Sequence, residues 1–238
     1  MAVDRHINFF ELQKAAAKPG CPLCRIVADR AERYIDNMLF EHVSDRGFRA
    51  AHRTAGGFCP SHSRNLISFR DGLAVAILGR DILEDRIASF KNRKFPKPQG
   101  RCPVCVEQDR IEEEYLSFLA QSGGDSREEQ DLREIFTASE GLCAPHYEKL
   151  LALGQSKSSG LWGLRPGLKR GLKPLRIPPW LIEFHEHKFA ELYRRVGQFI
   201  ELSAYGRQEE FAALSEKDQL VWKELALVLR GSADHRDV

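Results

Sequence analysis

Apolar side chains recur every three or four residues through most of this chain, the spacing that lines one face of a helix. Leu23, Val27, Ala31, Tyr34 and Met38 predict a helix over 23–42, and Val106, Ile111, Tyr115, Leu116 and Leu119 predict another. Leu73, Ala76, Ile77, Leu83, Ile87 and Phe90 mark a third helix. Phe189, Leu192, Tyr193, Val196, Phe199 and Ile200 mark a fourth, near 181–204. Ser215 with Asp218 reads as an N-cap pair. It opens a last helix through Val221, Trp222, Leu225 and Leu229, stopped by Gly231. Period-two alternation rich in β-branched residues is nearly absent, so the fold class is all-α. Two stretches interrupt the helices. "KNRKFPKPQGR" (91–101) reads as a basic, Pro-containing linker. "GQSKSSGLWGLRPGLKRGLKPLRIPPW" (154–180) is a Gly- and Pro-rich arm through which no helix can run.

The helical stripes are repeated, and chemistry repeats with them. Cys21 and Cys24 recur 81 residues later as Cys102 and Cys105, in "CPLC" and "CPVC". Cys59 and His62 recur 84 residues later as Cys143 and His146, in "GFCPSH" and "GLCAPH". Core positions keep step. At the first offset Tyr34 meets Tyr115, Ile35 meets Leu116 and Met38 meets Leu119. At the second Phe48 meets Leu132, Arg49 meets Arg133, Phe58 meets Leu142 and Leu66 meets Leu150. A small insertion around 122–130 accounts for the three-residue difference. Helix faces and Cys/His pairs held in register together signify an internal duplication.

Two side chains separated by two residues turn toward one point from the first turn of a helix, and two such pairs make four ligands. Three thiolates and one imidazole are a structural zinc shell, full and without a place for substrate. Helix N-termini favour thiolate. Pro22, Pro103 and Pro60 fit first-turn positions, where no N–H is needed, and Gly57 and Gly141 permit the bend before the later pair. The repeat predicts one ion per repeat: Cys21, Cys24, Cys59 and His62 for the first, Cys102, Cys105, Cys143 and His146 for the second. Exchange of partners between the two sets is the alternative pairing. Three further readings compete. An iron–sulfur cluster accepts the same ligands. A dithiol redox motif resembles Cys-Pro-x-Cys but belongs at a strand-to-helix junction. Plain buried cysteines explain neither the histidines nor the register.

Composition adjusts this picture little. The 238 residues are 42% apolar and 29% charged, with a net charge of +2, ordinary for a globular protein and implying no polyanionic partner from the total. The arm holds six Lys or Arg and no acid; without it 30 basic face 34 acidic residues, so a mildly acidic body carries a basic arm. The N-terminus lacks the pattern of a signal peptide, and the most apolar run, "GLAVAILG", is too short to span a membrane. A cytoplasmic location follows as the default expectation, where thiols stay reduced.

The twin Cys-Pro-x-Cys and Gly-(Phe/Leu)-Cys-x-x-His arrangement resembles an uncharacterised family of bacterial proteins known only as a domain of unknown function. The likeness extends to "HEHKFAELYRRVGQFIELSAY" and "KDQLVWKELALVLRG", covering about residues 18 to 231. It implies that the eight Cys and His residues are the family's motif positions, and it supplies no activity. The basic arm departs from the family pattern.

Elsewhere the chemistry is thin. In "EFHEHKF" (183–189), His185 and His187 point apart on a helix, while Glu183 and His187 share a face, so a surface cap or ion pair is the reading. Glu112, Glu113 and Glu114 read as a solvated face. No phosphate loop, nucleophile elbow or Ser/His/Asp arrangement is present, so an enzyme is poorly supported and no small-molecule substrate is evident. The arm offers Arg165, Lys169, Arg170, Lys173 and Arg176 with Trp162 and Trp180, which suit phosphates and base stacking or an acidic protein surface; a solvated loop is the alternative. The sequence therefore predicts a metal-binding helical repeat at 1–90, the linker at 91–101, a second repeat at 102–153, the arm at 154–180, and C-terminal helices at 181–238 that complete the second repeat. The expected protein is a non-catalytic binding or assembly module holding two Zn²⁺, with a protein or nucleic-acid partner and no membrane. The alternative is an iron–sulfur or thiolate redox protein.

Overall fold

The computed structural model describes residues 7–69, 71–95, 97–124, 126–155 and 176–231. Among them all regular structure is helical. The helices are α1 (Ile7–Ala16), α2 (Pro22–Asn37), α3 (Arg46–Thr54), α4 (Pro60–Ser68), α5 (Gly72–Asn92), α6 (Pro103–Gln121), α7 (Arg127–Thr137), α8 (Ala144–Gln155), α9 (Pro179–Leu202), α10 (Gln208–Ala212), α11 (Glu216–Gln219) and α12 (Val221–Arg230). A π-helical turn, Met38–His42, prolongs α2, so the predicted helix over 23–42 is one rod with a widened last turn. Helix starts follow local chemistry. Asp45 caps α3 by accepting from the Phe48 N–H, and Asp71 caps α5 by accepting from the Ala74 N–H. Ser126 and Glu129 form a reciprocal capping box on α7. Ser215 caps α11 rather than α12, because the helix breaks at Leu220 before restarting.

The chain divides into two compact units. One is Val27–Glu112; the other takes the residues up to Ile26 and from Glu113 onward. Both boundaries fall inside helices, α2 and α6, rather than in the 91–101 linker. In the first unit Ile35 and Met38 of α2 pack in one core with Leu66 of α4, Ala74 and Leu78 of α5, and Cys102 and Val104 at the start of α6. In the second, α1 packs on α7, and α9 packs on α7, α10, α11 and α12. Its fully buried side chains include Tyr115, Leu119, Leu132, Phe136 and Leu150. Burying each such side chain contributes about 1.5–3 kcal/mol. Three of the positions paired by the sequence offsets are buried on both sides, Ile35 with Leu116, Met38 with Leu119 and Leu66 with Leu150, while Tyr34, Phe48 and Phe58 are only partly buried.

Helix α5 forms where its apolar spacing predicts, but it leaves most of that stripe outside the core. Its stripe Leu73, Leu83, Ile87 and Phe90 faces solvent, and its buried side chains are Ala74, Leu78 and Asp81. The reason is electrostatic. Asp81 takes a bidentate hydrogen-bonded pair from Arg49 of α3 at 2.6 and 2.7 Å, and Asp85, one turn on, pairs with Arg53. Two carboxylates matched to two guanidiniums four residues apart hold that side of α5, which also carries Ala74 and Leu78, toward the core, and the second apolar stripe goes out.

Candidate metal centres

Each of the four Cys/His pairs occupies the same local position. The carbonyls of Cys21, Cys59, Cys102 and Cys143 accept the first helical hydrogen bond, from Arg25, Ser63, Val106 and Tyr147, at 2.9–3.3 Å. The first residue of each pair is therefore an N-cap, and the second lies three residues on, in the first turn. Side chains at those two positions share the open end of the helix. Pro22, Pro60 and Pro103 begin α2, α4 and α6, as their missing N–H requires. Gly57 and Gly141, with φ of +92° and +77°, make the bend that delivers Cys59 and Cys143.

The pairs meet two by two, and they meet crosswise. Cys21, Cys24, Cys143 and His146 form one quartet; Cys59, His62, Cys102 and Cys105 form the other, with the ligand atoms of each all within 4.8 Å of one another. This corrects the one-ion-per-repeat expectation: each quartet takes its Cys-Pro-x-Cys from one repeat and its Cys-x-x-His from the other. The physical reason is the rigidity of α2. Cys24 stands fourteen residues before Met38, about 21 Å along a helix. Met38 shares its core with Leu66 of α4, the helix that Cys59 opens. A continuous α2 that puts Met38 beside α4 carries its own cysteines out of reach of Cys59. The place is filled by Cys102 and Cys105, because Cys102 and Val104 lie in that same core.

The two quartets share one geometry. In the first, the Nδ1 atom of His146 lies 3.4 Å from the Cys21 sulfur, 3.4 Å from that of Cys24 and 3.2 Å from that of Cys143, and Cys24 and Cys143 sulfurs are 3.7 Å apart. In the second, the Nδ1 atom of His62 lies 3.2 Å from the Cys59 sulfur and 3.4 Å from those of Cys102 and Cys105, and Cys59 and Cys105 sulfurs are 3.7 Å apart. All six cysteines are free of disulfides; Cys24, Cys102 and Cys143 are buried, and Cys21, Cys59 and Cys105 are partly exposed. Three sulfurs this close cannot all be thiolates without a cation. Burial first, then the neighbouring Cys143 and Cys24, pushes the Cys21 thiol well above its ordinary value. Burial and Cys59 push Cys105 up to about 12. Cys24 moves the other way, held as thiolate first by hydrogen bonding from Cys143, then from Cys21.

Residues around the first quartet complete it. His185 is buried, not at the surface as its sequence context suggested. Its Nδ1–H donates to the Leu181 carbonyl at 2.7 Å, and its Nε2 accepts from the Leu142 N–H at 2.9 Å, fixing the backbone beside Cys143. The ring stacks on Tyr147 at 4.6 Å. A side chain on Gly141 would meet Phe184 at 2.9 Å and His185 at 3.2 Å. A signal for His185 existed: Leu181, His185, Phe189 and Leu192 lie at helical spacing, so the imidazole stands in an apolar stripe. Gly231 also reaches the centre: a Cβ there would lie 3.2 Å from the sulfurs of both Cys24 and Cys143. The sequence marked Gly231 as a helix stop, and nothing local reveals that the stop rests on a thiolate. Arg195 of α9, 7% exposed, holds that C-terminal segment through Asp218 at 2.6 Å and Glu224 at 2.7 Å.

Of the arm residues, Trp162, Arg165, Lys169, Arg170 and Lys173 lie outside the described residues. Arg176 is exposed. Trp180 is half-buried at the start of α9, its Nε1–H donating to the Ser122 carbonyl at 3.4 Å and its ring edge-on to Phe136. That ring packs within the fold instead of standing out as a stacking platform. Among the described residues no helix is long and apolar enough to cross a membrane.

Comparison with known proteins adds kinship without activity. Residues 6–99 match a family described as a family of unknown function, DUF6062. The chain is also similar to an uncharacterized 23.9 kDa protein in xynA 3'region of Caldicellulosiruptor sp. (strain Rt8B.4), 32% identical over 100 residues. That likeness takes in 40% of this chain, and the chain spans about half, 49%, of the relative. No solved structure matches. The family match spans Cys21, Cys24, Cys59 and His62, which contribute two ligands to each quartet.

Proposed function

We propose that each quartet holds one Zn²⁺ and that the protein is a non-catalytic, zinc-stapled helical module for binding or assembly. One observation carries this reading: the spacing inside the quartets. One tetrahedral zinc, bound at about 2.3 Å to sulfur and about 2.0–2.1 Å to nitrogen, separates two sulfurs by about 3.8 Å and a sulfur from a nitrogen by about 3.6 Å. The quartets hold 3.7 Å and 3.2–3.4 Å. An iron–sulfur cluster spreads its ligands over several irons and needs them farther apart. Four protein ligands leave no place for water or substrate, which favours a staple over a catalyst. The ion contributes its charge, which lets three sulfurs ionise together; the protein contributes two helix N-termini aimed at each centre.

Elemental analysis of the purified chain tests the reading. About two zinc per chain in a colourless protein, with loss of helical signal on chelation, is the expected result. Iron with absorbance near 400 nm, or full stability without metal, overturns it. The basic arm, 154–180, is the proposed contact for an acidic partner, and salt-dependent retention on heparin that disappears on deleting 157–176 is its measure.

A further inference from the structure

We propose that α5 is a self-association surface: two copies of the chain pair through it, antiparallel and two-fold symmetric. This extends the assembly half of the function proposed above and is independent of its zinc half.

The observation is a helix turned inside out. Leu73, Ala76, Arg80, Leu83, Ile87 and Phe90 are all exposed, with Leu73 at 74% and Phe90 at 61%. Their spacing is three, four, three, four, three, the a/d seam of a helix pair rather than a scatter of surface residues. The fold uses the opposite face of α5 for its own packing, through Ala74 and Leu78 in the core and Asp81 and Asp85 on Arg49 and Arg53. A run of exposed, mostly apolar groups from Leu73 to Phe90, about 26 Å of helix, is the pattern of an interaction face. Phe95 lengthens the patch beyond the helix, its ring 5.9 Å from that of Phe90.

The seam selects its occupant by being complementary to itself. Set antiparallel about a two-fold axis near residues 81 and 82, Leu73 meets Phe90 of a second copy, Ala76 meets Ile87, and Arg80 meets Leu83. Every apolar seam residue but Leu83 then finds an apolar partner. The one charged seam residue, Arg80, comes beside Glu84 of the other copy, and symmetry supplies this pair twice. Glu84 has one partner already, Arg53 of its own chain, and stays open to a second. It is 72% exposed and only 3.4 Å from Arg53, whose guanidinium is already held by Asp85. A parallel arrangement would instead stack Arg80 on Arg80 at the centre. An isologous pairing of this kind closes at two copies. So short a seam lies at the low end of interface size, the class of weak and reversible encounters.

Sedimentation of the full, metal-loaded chain at about 100 µM is the test. The expected species has twice the 27.1 kDa chain mass. Leu83→Lys, which sets four cations together at the centre of the seam, yields monomer with helical signal and zinc content unchanged. Arg80→Glu and Glu84→Arg each weaken the dimer about tenfold, since each replaces two attractions by two repulsions. The double variant Arg80→Glu/Glu84→Arg restores it, which a merely structural defect would not do. A monomeric wild type, a dimer indifferent to Leu83→Lys, or a double variant no tighter than the singles overturns the proposal. Zinc content measured on the same samples keeps the two readings apart: a monomer with two zinc sinks the dimer alone, and a zinc-free dimer sinks the centres alone.

Discussion

Cysteine pairs removed two at a time distinguish crossed centres from tandem ones. Cys24→Ser and Cys143→Ser take ligands from the same quartet, whereas Cys24→Ser and Cys59→Ser take one from each. The expected metal content is therefore one zinc per chain for Cys24→Ser/Cys143→Ser and none for Cys24→Ser/Cys59→Ser, read by a colorimetric chelator after gel filtration. Tandem centres, which would need α2 to bring Cys24 across about 21 Å, give the opposite counts. Stability follows the same logic. With free zinc at a thousand times its dissociation constant, a filled site stabilises the fold by about 4 kcal/mol. Cys24→Ser costs about that much. Adding Cys143→Ser then costs almost nothing, because the ion is already gone, while adding Cys59→Ser costs about 4 kcal/mol more, a large part of a typical domain's stability. A double-mutant cycle by urea unfolding should show a coupling of about 4 kcal/mol for the first pair and less than about 0.5 kcal/mol for the second. Coupling between Cys24 and Cys59, with additivity between Cys24 and Cys143, would refute the argument from helix rigidity.

Three other outcomes follow from the surroundings of the centres. His185→Phe strands the Leu142 N–H and should cost about 1–3 kcal/mol near neutral pH. Burial lowers the His185 imidazole from its ordinary 6.5 to about 4. Between those values the unfolded chain takes up a proton that the folded chain refuses, so wild-type stability falls by about 3 kcal/mol as pH drops through that window. The gap between wild type and His185→Phe, followed by urea titration at fixed pH, should narrow from pH 6.5 to 4. Gly231→Ala places a methyl against the Cys24 and Cys143 sulfurs at a backbone φ of +73°, and should weaken zinc about tenfold at that quartet alone; equal loss at both centres contradicts the placement. Because burial raises the Cys21 and Cys105 thiols, the metal-free centres hold protons at neutral pH. Zinc uptake should release protons into weakly buffered solution, and affinity should climb with pH, measured by competition with a chelator of known affinity.

Much of this protein is written locally. The helical class follows from the spacing of Leu, Ile and Val, because one buried face is enough to select a helix. The eight candidate ligands follow from Cys-Pro-x-Cys and Cys-x-x-His, because an N-cap and the residue three on always share the open end of a helix. What no local pattern determines is which ends meet. That depends on α2 and α6 being continuous helices, so each quartet joins a Cys-Pro-x-Cys from one repeat to a Cys-x-x-His from the other. The orientation of α5 is of the same kind: its apolar stripe is legible, yet Asp81 and Asp85 find Arg49 and Arg53 only once α3 lies beside it, and that match, together with the core packing of Ala74 and Leu78, decides which face is buried. Gly231 becomes a neighbour of Cys24 and Cys143 by the same route, through contacts between residues that the chain separates by 207 and 88 positions.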